Sequence, residues 1–389
     1  MSTHSRRLSF LMAGLALTLI LVLSLKTGGQ PFSFVDARAY ATGIRLWLTG
    51  GDPYRHGSFM NFLYPPFVLL VSGGLARAVP FSLMRSIYIA LHVAAALALP
   101  LILHRFYLRG TGCNVVTFYG LFFLAPGLLG LLALDTGNIA LICYTAMLAA
   151  AIPGLEHNRW FLFYVAVFCC SMIKITFVPL LILPLFCGRG QIAAVLWCGS
   201  SAMALLEVQA WMLPDLFRRF RGILIRQSMQ LGDNGKGVFG ILFHIDHRLH
   251  DKSLLIPIAG FCLVVMCVGV CLIAGRIRKF DTRFAFWPAV VVVGALFMTP
   301  RVNYYDLCVA FPLMFCIACR NLSAFKAFMI YLGLFIPSLV FLIRLRDNAL
   351  NGGFEALLIL GLFLTALCRE LATGRTARES EHRRSLAPL

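Results

Sequence analysis

Apolar segments separated by short polar breaks run along almost the whole chain, and they predict a bundle of membrane helices. A helix needs about 20 mostly apolar residues to cross the hydrocarbon core of a bilayer. The candidate spans are 8–25, 84–104, 113–133, 138–153, 160–174, 176–187, 191–213, 253–275, 284–299, 307–320, 324–343 and 354–370. We therefore expect an all-α, polytopic membrane protein with about 12 transmembrane helices, folded as a single domain over residues 1–389.

A further apolar segment, 63–80, is shorter and contains the pair Pro65-Pro66. Arginines mark cytoplasmic ends of membrane helices, so Arg6 and Arg7 place the N-terminus inside, and the arginines of 371–389 mark a basic cytoplasmic tail. The basic loops between these ends alternate correctly only if 63–80 does not cross. Proline at membrane depth frees backbone groups, which protein or a water-filled cavity must then satisfy. We predict that 63–80 is a re-entrant segment.

Two loops on the outer side follow from this topology. The first, 26–82, contains a helix-like aromatic and basic stretch, which we expect to be an amphipathic helix, and ends in the re-entrant segment. The second, 214–252, is the only long hydrophilic segment between spans, and its charge is mixed.

Composition agrees with this picture and excludes other classes. With 60% hydrophobic and 13% charged residues, the chain is too apolar for a soluble globular protein. Its net charge of +18 resides in short clusters between spans, where topology signals lie, so we expect no nucleic-acid partner. Most of the 13 cysteines lie in apolar segments and behave as small hydrophobes, so we predict no disulfide framework. Cys316-x-x-Cys319 lacks a second pair, which disfavours a zinc or redox role.

The predicted topology gathers polar residues on one face of the membrane. Charges at membrane depth cost about 2.5–3.5 kcal/mol on insertion scales, so they usually pair or serve a site. The residues gathered on this face are Asp36, Arg38, Asp52, Asp135, Asn138, Lys174, Arg226, Gln227, Lys236, Arg301, Asn303, Tyr304 and Asp306.

Three charged residues each admit two interpretations. Asp36 either caps the helix that follows it, with Ser33 as a competing cap, or acts as a general base toward a hydroxyl. Lys174 either snorkels from the junction of two short spans or pairs with a phosphate or with Asp135. Arg301 either belongs to an ordinary outer loop or uses its guanidinium fork to bind a phosphate.

The second outer loop also contains His244, Asp246, His247, His250 and Asp251. Histidines three residues apart share a helix face, which suggests a metal site. The usual ligand spacings are missing, however, so a solvated segment is favoured and no metal site is predicted.

Several motifs occur in a fixed order. The chain carries Asp36, then Gly50-Gly51-Asp52-Pro53-Tyr54, then Phe62-Leu63-Tyr64-Pro65-Pro66. This order resembles the D…G-x-x-P-Y…F-x-Y-P-P pattern of glycosyltransferase family 87, the polyprenyl-phosphate-mannose-dependent mannosyltransferases of bacterial envelopes. Asp135-Thr136-Gly137-Asn138 resembles the family's G-Q-x-N segment, with threonine in place of glutamine, and Met172-Ile173-Lys174-Ile175-Thr176-Phe177-Val178-Pro179 resembles its A-x-K-x-x-P segment.

The resemblance continues at Arg226-Gln227-Ser228 and at Thr299-Pro300-Arg301. One departure follows Pro300, where Asn303, Tyr304 and Tyr305 stand in place of a histidine present in many relatives. A second proton-relay residue and the identity of the acceptor therefore stay open.

The resemblance implies a GT-C type fold and an inverting hexosyltransferase that moves mannose or a related hexose from a polyprenyl-phosphate donor to a hydroxyl of an envelope glycolipid or glycan. It implies Asp36 as the base, Lys174, Arg301 and Arg226 as phosphate-binding residues, and Arg38, Tyr64, Asp135, Asn138, Gln227, Tyr304 and Asp306 as substrate-binding residues. It also implies a multi-pass protein of the bacterial plasma membrane with an extracytoplasmic active site. No cofactor is expected, and a divalent metal stays open. A transporter or flippase is the alternative, because broken helices and buried charges also mark substrate paths.

Overall fold

The structure is a computed structural model that describes residues 34–55, 62–188, 192–229, 234–248, 254–344 and 353–385. Within these ranges the chain forms helices and no β-strand, which confirms the all-α prediction there. The helices are α1 (Val35–Leu48), α2 (Pro66–Ala78), α3 (Phe81–Ile102), α4 (Val115–Phe123), α5 (Leu129–Thr136), α6 (Ala140–Ala150), α7 (Ile152–His157), α8 (Phe161–Ile173), α9 (Ile182–Cys187), α10 (Ile192–Met212), α11 (Pro214–Met229), α12 (Val238–Arg248), α13 (Leu255–Ile277), α14 (Phe280–Arg283), α15 (Trp287–Phe297), α16 (Tyr304–Cys319), α17 (Ala324–Arg344) and α18 (Gly353–Ser385). A π-helical turn follows α3 at Leu103–Tyr107, and 3₁₀ turns precede α5 at Pro126–Leu128 and α9 at Ile175–Leu181.

Several of these helices are long and apolar enough to cross a membrane. In the described part of the chain there are four such segments, Phe81–Tyr107, Ala140–His157, Ile192–Met212 and Leu255–Ile277. A fifth candidate combines Val115–Phe123 with Pro126–Thr136, two pieces bent by 66°. These helices identify a membrane protein, but the predicted number of about 12 spans is not confirmed. The first predicted span, 8–25, lies outside the described residues.

Other predicted spans are short helices. The segments 160–174 and 176–187 correspond to α8 and to the continuous stretch Ile175–Cys187, separated at Lys174, whose backbone is extended (φ −143°, ψ 110°). A helix of 13 residues, such as α8 or α2, is about 20 Å long, which is less than the ~30 Å hydrocarbon core. The re-entrant path of α2 stays a prediction.

The centre of the bundle is formed by α15 and α16. Every residue of α15 except Pro288 is buried, and α16 is buried continuously from Asp306 to Ile317. In contrast, α10 and α13 expose large apolar side chains, with Trp211 83% and Ile277 75% accessible. Such surfaces are suited to contact with lipid.

Three helices, α1, α2 and α11, pack on one another and form a smaller unit, which we call the platform. Its hydrophobic cluster consists of Ile44, Tyr54, Phe62, Tyr64, Leu69, Phe220 and Ile223. Gly73 of α2 lies against the ring of Trp47, and a Cβ at this position would come within 2.0 Å of that ring. Arg219 of α11 forms an ion pair with Asp52 at 3.3 Å. The platform therefore brings the segment 50–54 against α11.

Two segments predicted as a loop and a tail are largely helical. The second predicted loop, 214–252, contains α11 and α12. In α11 the apolar residues Phe217, Phe220 and Leu224 recur at helical spacing and pack into the platform, while Arg218 and Arg221 are exposed. The predicted tail, 371–389, continues α18 as far as Ser385, because a stretch rich in Ala, Arg and Glu without proline supports a helix.

Candidate functional site

Asp36 lies in the first turn of α1, next to the C-terminal end of α5. The backbone N–H of Phe34 donates to the carbonyl oxygen of Asp135 at 2.8 Å, and Gly137 (φ 65°) turns the chain immediately after α5. The N-cap of α1 is Phe34, without a side-chain cap, so Asp36 is not the cap of its helix. Its carboxylate still benefits from the positive end of the helix dipole. The competing cap, Ser33, lies outside the described residues.

Asn138 holds Asp36 on one side and Lys174 on the other. Its Nδ2 donates to Asp36 Oδ2 at 2.5 Å. Its Oδ1 accepts from Lys174 Nζ at 2.9 Å and from the backbone N–H of Ala140 at 3.0 Å. The side chain of Asn138 is buried, whereas Asp36 and Lys174 are half-buried. A carboxylate and an ammonium are thus held one amide group apart, at a place that stays partly accessible.

Lys174 occupies the break between α8 and the 3₁₀ turn. Besides Asn138, its Nζ donates to the hydroxyl of Tyr305 at 2.8 Å and lies 4.2 Å from the centroid of that ring. The ring of Tyr64 is 5.7 Å away. The ammonium is therefore directed at protein groups, which disfavours simple snorkelling, and its hydrogen-bond partners are Asn138 and Tyr305.

The N-terminus of α16 completes this network. Asn303 and Asp306 form a capping box, in which the N–H of Asn303 donates to Asp306 Oδ2 at 2.6 Å. Tyr144 donates to the other carboxylate oxygen of Asp306, and Asn303 Nδ2 donates to the Tyr305 hydroxyl at 2.7 Å. Both oxygens of the buried Asp306 thus have protein partners that hold the start of α16. Direct contact between Asp306 and a substrate stays a prediction.

Three tyrosines connect the platform to this network. The hydroxyls of Tyr40 and Tyr64 are 2.6 Å apart, and the Tyr54 hydroxyl donates to the carbonyl oxygen of Tyr64 at 2.8 Å. Burial raises the pKa of Tyr64 to about 12, although the charge of Lys174 opposes the rise. Burial, together with Tyr64 and Asp36, raises the pKa of Tyr40 well above its ordinary value. Both phenols therefore stay protonated at neutral pH and serve as hydrogen-bonding groups.

A largely apolar cavity lies between α1, α2 and α3. Its walls include Tyr40 and Tyr64 as well as Ile139 and Ile173, the direct neighbours of Asn138 and Lys174 in sequence. The polar network therefore lies immediately beside a space suited to a hydrophobic ligand.

Arg301 and Tyr304 lie at the edge of the network and are half-buried. Arg301 packs against Gly235 and is near enough to act electrostatically on Tyr305 and Asp306. The Nζ of Lys236 lies 5.6 Å from the centroid of the Tyr304 ring. The segment that leads into α12 therefore packs over the start of α16.

Four further predicted residues lie on α1, α5 and α11. Arg38 is exposed on α1, and Arg226 is half-buried in the last turn of α11, where its Nε has no hydrogen-bond partner among the described residues. Gln227 follows it and is half-buried, as is Asp135 at the end of α5. Neither Arg38 nor Arg226 belongs to the hydrogen-bond network around Lys174, and substrate or phosphate binding by these four residues stays a prediction.

Three residues of the network, namely Tyr40, Tyr144 and Tyr305, were not among the predicted site residues, and Asn303 was placed on the same face of the membrane without a role. One signal was visible: Asn303-x-x-Asp306 ahead of an apolar run is the pattern of a capping box. The uncharged tyrosines carried no comparable signal, because tyrosine is also common at membrane interfaces.

No cluster of three or more His, Cys, Asp or Glu side chains placed to hold a metal occurs in the described part of the chain. His244 and Asp246 belong to α12, whereas His250 and Asp251 lie outside the described residues. The absence of a cofactor stays a prediction.

Comparison with known proteins gave one match. The model of glycosyltransferase family 87 matches residues 62–300, a range that includes Tyr64, Asn138 and Lys174. Asp36 and the α16 residues lie outside the matched range. A search of curated proteins found no match.

Proposed function

Because the chain belongs to glycosyltransferase family 87, we propose that it transfers a hexose, mannose in the first instance, from a polyprenyl-phosphate donor to a hydroxyl of an envelope glycolipid or glycan, with inversion at the anomeric carbon. The protein is a membrane glycosyltransferase; the donor, the sugar, the acceptor and the extracytoplasmic side of a bacterial plasma membrane belong to the proposal. Family membership disfavours the transporter alternative.

One observation carries the proposal, namely the hydrogen-bonded series Asp36–Asn138–Lys174 beside an apolar cavity. Inverting transfer needs a base for the acceptor hydroxyl and a separate positive charge for the departing phosphate. A direct ion pair between the two would neutralise both. The amide of Asn138 keeps them apart while fixing their positions.

The roles follow from the charges. Asp36 takes the proton of the acceptor hydroxyl as its oxygen attacks the anomeric carbon. The bond between that carbon and the phosphate oxygen breaks, and its electron pair stays on the phosphate. Lys174 and Arg301 stabilise the resulting charge, with Arg226 of α11 as an auxiliary phosphate-binding residue.

The cavity supports a lipid-linked donor. Its walls include Val71 and Leu75 of α2, which are 55% and 50% accessible, so the apolar space continues to a surface suited to lipid. A prenyl chain in this space would place its phosphate near Tyr64 and Lys174. Such a donor needs no nucleotide-sugar domain.

The test uses purified full-length protein in lipid vesicles. A panel of polyprenyl-phospho-sugars is incubated with an envelope glycolipid and glycan extract, and products are identified by mass. We expect one lipid-linked hexose to be consumed, with release of polyprenyl phosphate and formation of a hexosylated acceptor, whereas a nucleotide sugar gives none. Transfer from the nucleotide sugar, or from no lipid-linked sugar, would contradict the proposal.

A further inference from the structure

The amide of Asn303 has a fixed orientation. Its side-chain oxygen accepts the backbone N–H of Asp306 in the capping box, so its NH₂ group must face the hydroxyl of Tyr305, 2.7 Å away. The hydrogen-bond partners thus determine which end of the amide is the oxygen and which is the nitrogen. Asn303 is therefore a donor to Tyr305.

The hydroxyl of Tyr305 consequently accepts two hydrogen bonds. Its second donor is Lys174, at 2.8 Å, and an ammonium group has no acceptor capacity. A phenol oxygen has two lone pairs and one proton, so both lone pairs are engaged and the O–H must point elsewhere. No described residue accepts that proton.

Lys174 also retains donor capacity. Of the three N–H bonds of an ammonium, one goes to Asn138 Oδ1 at 2.9 Å and one to Tyr305. The third has no oxygen or nitrogen acceptor among the described residues. Two unused donors thus project from atoms 2.8 Å apart, on residues that are both half-buried.

We propose that Tyr305 O–H and Lys174 N–H together bind one phosphoryl oxygen of the lipid-linked donor, so that Tyr305 is a catalytic residue of the leaving-group site. An anionic oxygen suits this pair better than a neutral hydroxyl, since hydrogen bonds between a cationic donor and an anion are shorter and stronger. Donation from Lys174 and Asn303 polarises the phenol and makes its proton a better donor. This inference rests on the proposed function.

The proposed transfer of the hexose requires no proton from Tyr305. When the anomeric carbon–oxygen bond breaks, its electron pair adds one negative charge to the phosphate. The acceptor proton goes to Asp36, and Tyr305 keeps its own proton. The hydrogen bond from Tyr305 strengthens as the charge develops, so it acts mainly on the transition state.

Tyr305→Phe tests the site by removing only the hydroxyl. We expect kcat to fall about a hundredfold, the usual loss for one oxyanion donor, with a smaller change in donor KM. Binding of a short-chain polyprenyl phosphate to the protein in nanodiscs should weaken about tenfold, as for the loss of one charge-assisted hydrogen bond. Tyr331→Phe is the matched control, because that buried hydroxyl donates to the carbonyl oxygen of Leu124 away from the site.

A second variant separates donation by Tyr305 from a merely structural role. Site-specific 3-fluorotyrosine at position 305 makes the phenol a stronger donor and a weaker acceptor. If Tyr305 binds the phosphate, kcat is kept or rises; if it only accepts the hydrogen bond from Lys174, kcat falls.

The two proposals fail in different ways. Unchanged kcat and unchanged polyprenyl phosphate binding in Tyr305→Phe would overturn the two-donor site while leaving the proposed function intact. If the unmodified protein uses no lipid-linked sugar, the proposed function fails, and the binding measurement still decides whether Tyr305 and Lys174 hold a phosphate.

Discussion

Buried charges are arranged differently at the two ends of α16. At its C-terminal end, Arg320 pairs directly with Glu370 of α18 at 2.6 Å, with side chains 17% and 6% exposed. At its N-terminal end, Lys174 is separated from Asp36 by the amide of Asn138. The first pair joins its two charges directly, whereas the second holds them apart, so that each can act on a ligand. Separation of buried charges, more than burial itself, therefore distinguishes the candidate site from a structural contact.

Glu370→Gln should give the largest change in stability. Breaking a buried ion pair leaves an uncompensated charge, so the free energy of unfolding should fall by about 3 kcal/mol. The loss is limited because Arg320 still stacks on the ring of Phe286, 4.7 Å from its centroid. The thermal midpoint in detergent measures this effect, and transfer per folded molecule should be unchanged.

Glu156→Gln is the matched control, since its ion pair with Arg109 is more exposed, and its effect should stay within about 1 kcal/mol. A large loss of transfer in folded Glu370→Gln would break the comparison between the two ends.

Lys174→Met should affect the rate of transfer strongly, whereas Glu370→Gln affects stability. We expect the rate to fall about a hundredfold, because one cationic donor to the leaving phosphate is lost, while the fold is kept in detergent. Lys326→Met is the control for the same chemical change at an exposed position. Unchanged donor use by Lys174→Met would return this residue to a structural role.

Asn138→Asp would make the N-terminal end resemble the C-terminal one. The new carboxylate can pair directly with Lys174 and cannot donate to Asp36. The transfer rate should fall about tenfold, corresponding to ~1.5 kcal/mol for a lost hydrogen bond to a charged group. Thermal unfolding and transfer are measured on the same preparation, and full activity would show that the separating amide is not required.

The sequence pointed to the site through its outlying charges. Asp36 and Lys174 stand out because charges near apolar spans need a reason, and the break at Lys174 was expected from two spans too short to cross. Tyr305 was not predicted as a site residue, because its role depends on the orientation of the Asn303 amide and on a hydrogen bond from Lys174, which is 131 residues away in the chain. Such long-range partners are set by packing, and a single sequence does not reveal them.

The all-helical membrane class of the fold was predictable from the sequence, but the positions at which its helices begin, end and bend were not. Apolar content indicates membrane helices, yet hydropathy does not show where a helix bends, as at Pro126 between α4 and α5. The helices of 214–252 were visible as an amphipathic pattern around Phe217 and Phe220, but the arginines between them gave the segment the appearance of a loop. The platform depends on the contact between Gly73 and Trp47, and the spacing of residues in the sequence does not predict such a contact between two helices.

The central claim is that Asp36 is the base of a sugar transfer, and one rate comparison tests it most directly. The rate of transfer from the polyprenyl-phospho-sugar is measured for the unmodified protein, for Asp36→Asn and for Asp215→Asn, which changes an exposed carboxylate on α11. We expect Asp36→Asn to lower the rate about a thousandfold, within the range of a general base, with an unchanged thermal midpoint and with Asp215→Asn fully active. Retained turnover in folded Asp36→Asn would contradict the account.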